Sequence, residues 1–210
     1  HLPPATSPAS DRARLGLDDR ATGLVLFGGT GSRVMKRIAA ALPTTPLILM
    51  CGRNEALAEA LRAQAAADPA PAAPRIVVGH TPDVARWMRC ADFFIGKPGP
   101  GSLSEAVQMG LPVIVTRNAW TMPQERWNTE WVRSQGLGIV KRSFREVAAA
   151  VDELQADLPA YQARVRGVPN RAVFELPQIV EQLLQAHPPG AAAGAPQARG
   201  AARPSLASPA

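Results

Sequence analysis

The sequence contains few of the residues on which several functional classes depend. Aromatic residues make up only 5% of the 210 residues, and no basic run is interleaved with them, which argues against nucleic-acid recognition by base stacking. The two cysteines, Cys51 and Cys90, belong to no CxxC pair or Cys/His cluster, and the histidines His1 and His187 lie in the terminal segments. A zinc site, a disulfide framework and a catalytic cysteine are therefore disfavoured, and we expect two buried, reduced thiols.

Long apolar runs are also missing. No stretch approaches the roughly 20 apolar residues of a membrane-spanning helix, and the first ten residues lack the charged and apolar regions of a secretory leader. We therefore expect a cytoplasmic protein that meets a membrane only peripherally, on its cytoplasmic face. The formal net charge of +6 is compatible with an anionic ligand, a membrane surface or nucleic acid, and does not choose between them.

The chain does contain a regular alternation of short apolar runs and helical patterns between about residues 21 and 186. Continuous apolar runs such as 23–27 and 93–95 are typical of parallel strands that are covered on both faces. We predict one α/β domain with a doubly wound, Rossmann-like parallel sheet. Residues 1–20 are expected to form a linker or arm, and the Ala/Pro/Gly-rich residues 187–210 a disordered tail.

The most informative stretch is GKPGPGSLSEA, at residues 96–106, which leaves the end of an apolar strand. We predict a helix that begins near Ser102 and carries Glu105 in its first turn. The free N–H groups and the positive dipole end of such a helix suit a phosphate, while the Glu105 carboxylate can accept hydrogen bonds from sugar hydroxyls. The pattern therefore indicates a phosphate and a ribose; the alternative is a Pro/Gly loop with a solvent-facing Glu105.

Two further loops follow predicted strands and lie on the same edge of the sheet, where doubly wound folds bind ligands. The loop GGTGS at residues 28–32 allows close approach of a phosphate, but it matches neither a P-loop nor the G-x-G-x-x-G fingerprint. A tight turn without a ligand explains it equally well. The loop at residues 79–83 offers backbone groups to a base edge, and His80 within it is expected to be structural.

Gln124, Glu125 and Asn128 stand at the start of another predicted helix on this edge. Their amide and carboxylate groups suit sugar hydroxyls, and the spacing places Gln124 and Asn128 on one side of the helix. The simpler alternative is that Glu125 offsets the helix dipole and Asn128 is structural. Taken alone, this segment favours the simpler alternative.

Together these segments resemble the C-terminal domain of family 28 glycosyltransferases of the GT-B fold, a group that includes monogalactosyldiacylglycerol synthases and the lipid II N-acetylglucosaminyltransferase. The resemblance covers about residues 13–185 and is most specific at 97–106, followed by Gly-Leu-Pro at 110–112. Cys-Gly-Arg-Asn at 51–54 and the Pro-Gly-Pro-Gly turn look closest to the diacylglycerol galactosyltransferases. The segment RARLGLD at 12–18 is similar to the family's connector between its two domains.

The resemblance implies a UDP-sugar donor that is bound without a metal or other cofactor, because helix N-termini and backbone donors stabilise the leaving group. It implies that the diphosphate lies near residues 28–32 and the uracil near Thr81, that Glu105 holds the ribose, and that Gln124 and Glu125 contact the donor sugar. The implied substrate-binding residues are Gly29, Thr30, Gly31, Ser32, Thr81, Gly99, Pro100, Gly101, Ser102, Glu105, Gln124, Glu125 and Asn128.

The resemblance also implies that a complete transferase needs a second domain, which binds the acceptor and carries the catalytic base; no catalytic residue is assigned here. We expect the donor-binding half of an inverting hexosyltransferase that acts on a membrane lipid such as diacylglycerol and is inactive alone. The expected partners are a UDP-sugar, the lipid acceptor, the missing domain or subunit, and a membrane surface. Arg33, Lys36 and Arg37 would contact that surface, although a solvated helix face explains them more simply. A donor subunit of a two-chain enzyme and a non-catalytic nucleotide-sugar-binding module remain alternatives.

Overall fold

The computed structural model describes residues 7–67, 73–169 and 172–186. The strands are β1 (Gly23–Leu26), β2 (Leu47–Met50), β3 (Arg75–Val78), β4 (Phe93–Gly96), β5 (Val113–Thr116) and β6 (Gly138–Lys141). The helices are α1 (Pro8–Arg14), α2 (Val34–Ala41), α3 (Glu55–Ala67), α4 (Val84–Arg89), α5 (Pro100–Gln108), α6 (Pro123–Ser134), α7 (Val147–Ala156), α8 (Leu158–Arg166) and α9 (Ala172–Ala186).

The strands of the described residues form one parallel sheet in the order β3-β2-β1-β4-β5-β6. Successive strand residues point to opposite faces, so an uninterrupted apolar strand fills a core on each side. Leu24 and Phe94 belong to the core cluster on one face, and Val25 and Ile95 to the cluster on the other, all fully buried. The predicted doubly wound sheet is confirmed.

The strand order fixes where a ligand can bind. From β1 the chain first builds one side of the sheet through β2 and β3, and then returns to place β4 on the other side of β1. The helices that follow β1 and β4 therefore diverge to opposite faces and leave a crevice above the carboxyl ends of these two strands. The loops that the sequence singled out after β1, β3 and β4 all open at this edge.

The segment expected to be an arm contains a helix, α1, that is attached to the domain. Arg12 donates hydrogen bonds to the Cys90 carbonyl and to the Asp92 carboxylate, both at 2.9 Å. The Asp11 side chain is only 2% exposed and pairs with Arg86 of α4 at 3.0 Å. A buried carboxylate needs such a partner, so these contacts fix the segment that resembles the family's connector.

The second half contains two further features. Ser143 and Glu146 form a capping box that begins a short 3-10 turn leading into α7. Helix α9 belongs to a second compact unit and continues through Pro177. The predicted tail at 187–210 lies outside the described residues. Within the described ranges, no helix has the length and apolar character needed to span a bilayer.

Candidate functional site

A cleft opens where the strand order reverses. It has a volume of about 270 Å³ and lies above the ends of β1 and β2, between the loops that follow β1 and β3 and the start of α5. We call it the glycine cleft, and its lining residues are Leu26, Gly28, Gly29, Met50, Gly52, Gly79, His80, Thr81, Val84, Ser102 and Glu105. Three segments that were singled out separately in the sequence thus converge on one opening.

Helix α5 begins earlier than predicted. Its first residue is Pro100 and its N-cap is Gly99, with φ −68° and ψ 139°. Proline fits the first helical position because its missing N–H would have no partner there in any case. The predicted start near Ser102 is therefore wrong, and Glu105 lies in the second turn rather than the first. Gly99 has no side chain, so no side chain of the N-cap residue accepts a hydrogen bond from the N–H groups of the first turn. Ser102 and Glu105 of this helix line the cleft.

The first half of the loop at 28–32 faces open space. A Cβ atom added to Gly28 or Gly29 would meet nothing within 4 Å, and both glycines line the cleft. Gly28 has a φ of +73°, which accounts for glycine there. Gly29 does not have a positive φ, and the space around an added Cβ is open, so the fold itself does not require glycine at this position.

The second half of the same loop has structural contacts instead and does not line the cleft. Gly31 has a φ of +60°, and a Cβ there would lie 3.1 Å from the Cys51 carbonyl and 2.7 Å from the end of the Leu57 side chain, so backbone conformation and close packing both favour glycine. The Thr30 carbonyl accepts a hydrogen bond from Asn54 at 3.1 Å. The Ser32 hydroxyl accepts one from the first N–H of α2 at 3.3 Å. The tight turn that was considered as an alternative therefore accounts for Thr30, Gly31 and Ser32.

The loop after β3 contributes Gly79, His80 and Thr81 to the opposite wall. The Thr81 hydroxyl accepts a hydrogen bond from the Asp83 backbone at 3.1 Å, and the Asp83 carboxylate caps α4. These bonds fix the loop while leaving the hydroxyl hydrogen of Thr81 free to be donated.

The start of α6 approaches the loop between β4 and α5 rather than the cleft itself. The Asn128 amide donates to the Pro98 carbonyl at 2.8 Å, which ties the helix to that loop. Glu125 is only 6% exposed, and its carboxylate lies 3.8 Å from the Lys97 ammonium group. The exposed Gln124 side chain contacts the Met122 sulfur at 3.4 Å. Glu125 thus combines near-complete burial with one distant charge partner.

Seven of the eleven residues that line the cleft were not among the predicted site residues: Leu26, Gly28, Met50, Gly52, Gly79, His80 and Val84. Gly52 lines it, and a Cβ at this position would lie 2.1 Å from the Gly29 carbonyl. The available signal was a glycine directly after a second buried strand, which mirrors Gly28 after the first. Lys97 was quoted only as part of a motif, and its pairing with Glu125 depends on a contact across 28 positions that spacing does not predict.

The cysteines are free and buried, as predicted. Burial raises the pKa of both the Cys51 and the Cys90 thiol, so neither is a ready thiolate at neutral pH. In the part of the chain that the structure describes, no three His, Cys, Asp or Glu side chains gather as potential metal ligands.

A second opening lies further along the same edge, between the loop after β5, helix α6 and the end of β6. We call it the basic groove; it has a volume of about 440 Å³. Its lining residues are Arg117, Asn118, Ala119, Arg126, Arg133, Val140, Lys141 and Arg142. None of these residues was singled out from the sequence.

Curated proteins related in sequence to this chain act on diacylglycerol lipids, according to their names. Monogalactosyldiacylglycerol synthase 2 of Arabidopsis thaliana is 30% identical over 183 residues, which cover 79% of this chain and 37% of that protein. The processive diacylglycerol beta-glucosyltransferase of Staphylococcus carnosus is 30% identical over 115 residues, covering 55% of this chain and 28% of the enzyme. The chain thus matches 28–37% of the length of these two relatives. No protein-family model matches it.

Solved structures with the same fold are glycosyltransferases. MurG of Acinetobacter baumannii superposes with a TM-score of 0.61 at 14% identity, over 84% of this chain and 53% of that one. The Anabaena protein HepE, solved with UDP-glucose, also gives 0.61, at 17% identity, over 85% of this chain and 52% of its own. At such identities the likeness concerns the fold alone.

The sequence relatives and the fold agree with the motifs at 97–106 and 51–54 that carried the resemblance. The family resemblance predicted from the sequence is therefore confirmed: the sequence relatives are monogalactosyldiacylglycerol synthases and a diacylglycerol glucosyltransferase, the fold is that of GT-B glycosyltransferases, and both findings are consistent with a family 28 C-terminal domain.

Proposed function

We propose that this domain binds a UDP-sugar and forms the donor half of an inverting hexosyltransferase. The observation that carries the proposal is the convergence of Gly28, Gly29, Thr81, Ser102 and Glu105 on one cleft where the strand order reverses. These residues come from two loops and one helix, α5, that are far apart in sequence. They combine open glycine backbone, a helix start and a carboxylate, which are the groups that a phosphate and a ribose require.

In the proposed complex the diphosphate lies between Gly29 and the first turn of α5. Gly99 and Pro100 begin that turn, and the N–H groups of Gly101 and Ser102 belong to its positive end, where no side chain caps them. The Glu105 carboxylate, one turn further on, accepts hydrogen bonds from the ribose hydroxyls. The uracil lies against the loop that carries Thr81. No metal is assigned a role, because backbone donors carry the charge of the departing UDP.

The donor sugar is proposed to lie toward the start of α6. Glu125 supports this position, because its carboxylate is 6% exposed and, among the described residues, has the Lys97 ammonium group, 3.8 Å away, as its one charge partner, so it retains unused acceptor capacity. Gln124 is exposed beside it and can donate from its amide. Asn128 acts indirectly, because its amide holds the Pro98 loop.

The reaction we propose is direct displacement at the anomeric carbon by a hydroxyl of a membrane glycerolipid, with inversion. The C–O bond to UDP breaks as the bond to the acceptor forms, and a base outside this domain takes the acceptor's proton. The names of the sequence relatives support diacylglycerol as the acceptor class. We propose that the sugar transfer takes place at the cytoplasmic face of a membrane. The acceptor domain would be supplied by the same chain or by another one.

Titration calorimetry in the presence of a chelator tests the donor site. UDP is expected to bind, and UDP-glucose and UDP-galactose should bind as well, while NAD should give no heat. Binding of NAD without UDP would overturn the nucleotide-sugar assignment. Transfer to diacylglycerol is expected only when an acceptor domain is added, and robust transfer by this chain alone would refute the external base.

The sugar assignment has its own test in Gln124→Ala and Glu125→Gln. Both variants should weaken UDP-sugar binding and leave UDP affinity unchanged, because UDP ends at the phosphates. We expect about 1 kcal/mol for each lost hydrogen bond. An equal loss for UDP and UDP-sugar would contradict the placement of the sugar at the start of α6.

A further inference from the structure

We propose that the basic groove, together with the exposed side chains of Trp120, Met122 and Trp127, binds the surface of a bilayer that contains anionic phospholipid. The proposal rests on the proposed function for its biological purpose, which is access to a lipid acceptor, and for the choice of a lipid over other anionic partners. Its structural basis is separate from the glycine cleft, and so is its test.

The groove has an excess of positive charge. Five of its lining residues are basic, and they have two acidic partners: Glu130 pairs with Arg117 at 2.8 Å and with Arg133 at 3.6 Å, and Glu153 pairs with Lys141 at 2.7 Å. Arg142, which also lines the groove, is exposed and forms no ion pair among the described residues. Such a cluster attracts the phosphates of an anionic lipid surface.

Exposed apolar residues are next to groove residues in the sequence, because Trp120 follows Ala119 and Trp127 follows Arg126. Within the described residues of 7–169, the large hydrophobic side chains that are exposed are Trp120 at 93%, Met122 at 46% and Trp127 at 76%, and all three lie in one segment. Isolated exposed apolar residues need no explanation, but a group of them next to a basic groove does. Tryptophan in particular favours the boundary between headgroups and acyl chains.

The loop that carries Trp120 is held in shape. The Asn118 N–H donates to the Thr121 hydroxyl at 3.0 Å, and the Trp120 N–H donates to the Asn118 side chain at 3.0 Å. Arg126 of the groove donates to the Thr121 carbonyl at 3.2 Å. Trp120 is therefore exposed on a turn whose shape is fixed by hydrogen bonds. Arg126 both lines the groove and donates one of the hydrogen bonds that hold this loop.

The position of this surface suits a lipid better than a nucleic acid or a soluble partner. Gln124 and Glu125, where the donor sugar is proposed to lie, come directly after Met122 and Pro123, so a membrane held here would be close to the anomeric carbon. By contrast, α2 and its N-cap carry the basic residues Arg33, Lys36 and Arg37, but no exposed large apolar residue. Basic residues and exposed apolar residues therefore occur together at the groove, but not on α2.

Flotation with vesicles tests the proposal, using vesicles of phosphatidylcholine alone and of phosphatidylcholine with an equal amount of phosphatidylserine. The chain should bind the mixed vesicles and not the neutral ones. Arg142→Glu should lower the partition coefficient by roughly tenfold, because one attraction is lost and one repulsion is added. Trp120→Ala should lower it by a similar factor. The matched control Arg37→Glu, which makes the same charge change on α2, should have little effect.

Each other result has a definite meaning. Equal binding to both vesicle types, or an Arg37→Glu loss as large as that of Arg142→Glu, would overturn the assignment to the groove, as would no binding at all. UDP titration of the same variants separates the two proposals. Unchanged UDP affinity alongside lost vesicle binding supports the groove, whereas vesicle binding in a protein that fails to bind UDP would leave the groove standing and refute the donor site.

Discussion

The glycine cleft and the basic groove lie on the same edge of one sheet, yet they present opposite kinds of chemistry. The cleft offers backbone from Gly28 and Gly29, a helix start and the single carboxylate of Glu105 among its lining residues, with no lysine or arginine. The groove has five basic side chains and contains no glycine. Backbone N–H groups hold a phosphate in one position, whereas the long, flexible side chains of lysine and arginine can follow a phosphate through many positions. The contrast therefore suggests a precisely held ligand in one and a fluid surface at the other.

Disruption of the loop packing under the cleft should have the largest effect. In Gly52→Ala, the new Cβ would lie 2.1 Å from the Gly29 carbonyl, at a residue whose φ is +60°. The backbone conformation alone costs an alanine about 1–2 kcal/mol, and displacement of the Gly29 loop adds to this. We expect at least about 2 kcal/mol of lost stability in urea unfolding, together with lost UDP binding.

Gly29→Ala is the matched control for that variant. A Cβ at Gly29 meets nothing within 4 Å, so the stability should stay within about 0.5 kcal/mol of the original. UDP affinity should nevertheless fall, since the methyl group occupies space that the phosphate needs. If Gly29→Ala binds UDP normally, the loop at Gly29 is only a structural turn, and the glycine cleft cannot be contrasted with the groove as a phosphate site.

The next effect in size concerns Glu105. Glu105→Ala should weaken UDP by about 1.5–3 kcal/mol, because a charged acceptor of the ribose hydroxyls is lost. Glu59→Ala removes an equally exposed carboxylate from α3 and should leave the affinity unchanged. Both variants should retain vesicle binding. A Glu105→Ala protein that is folded and binds UDP normally would show that the ribose is held elsewhere.

The sequence predicted the sheet well because its strands are buried on both faces. Continuous apolar runs such as 93–95 have a single explanation in an alternating α/β pattern, and every predicted strand was found. The start of α5 was misplaced because Pro100 and Gly101 usually indicate a loop, whereas proline is also favoured at the first helical position. Whether Pro100 belongs to a loop or begins a helix depends on the tertiary position of Gly99, and residue spacing in the sequence does not reveal that position.

Prediction was less complete for the two openings. The cleft was predictable because its walls follow strands, and topology brings strand ends together. The groove was not, because Arg117, Arg133 and Arg142 are dispersed in the sequence and become neighbours only through the pairing of β5 with β6 and the packing of α6. Dispersed charges produce no local pattern, and the exposure of Trp120 is likewise a property of the folded loop rather than of its composition.

The smallest expected effect is also the most diagnostic, because stability and binding should move in opposite directions. Gly101 occupies the second position of α5, and a Cβ there would meet nothing within 4 Å. Alanine is favoured over glycine in helices by up to about 1 kcal/mol, so Gly101→Ala should slightly raise the free energy of unfolding. UDP affinity should fall by a smaller factor than in Glu105→Ala, since the methyl group lies beside the proposed phosphate. If both quantities rise, the helix start carries no ligand, and the basic groove would be the phosphate-binding part of this edge.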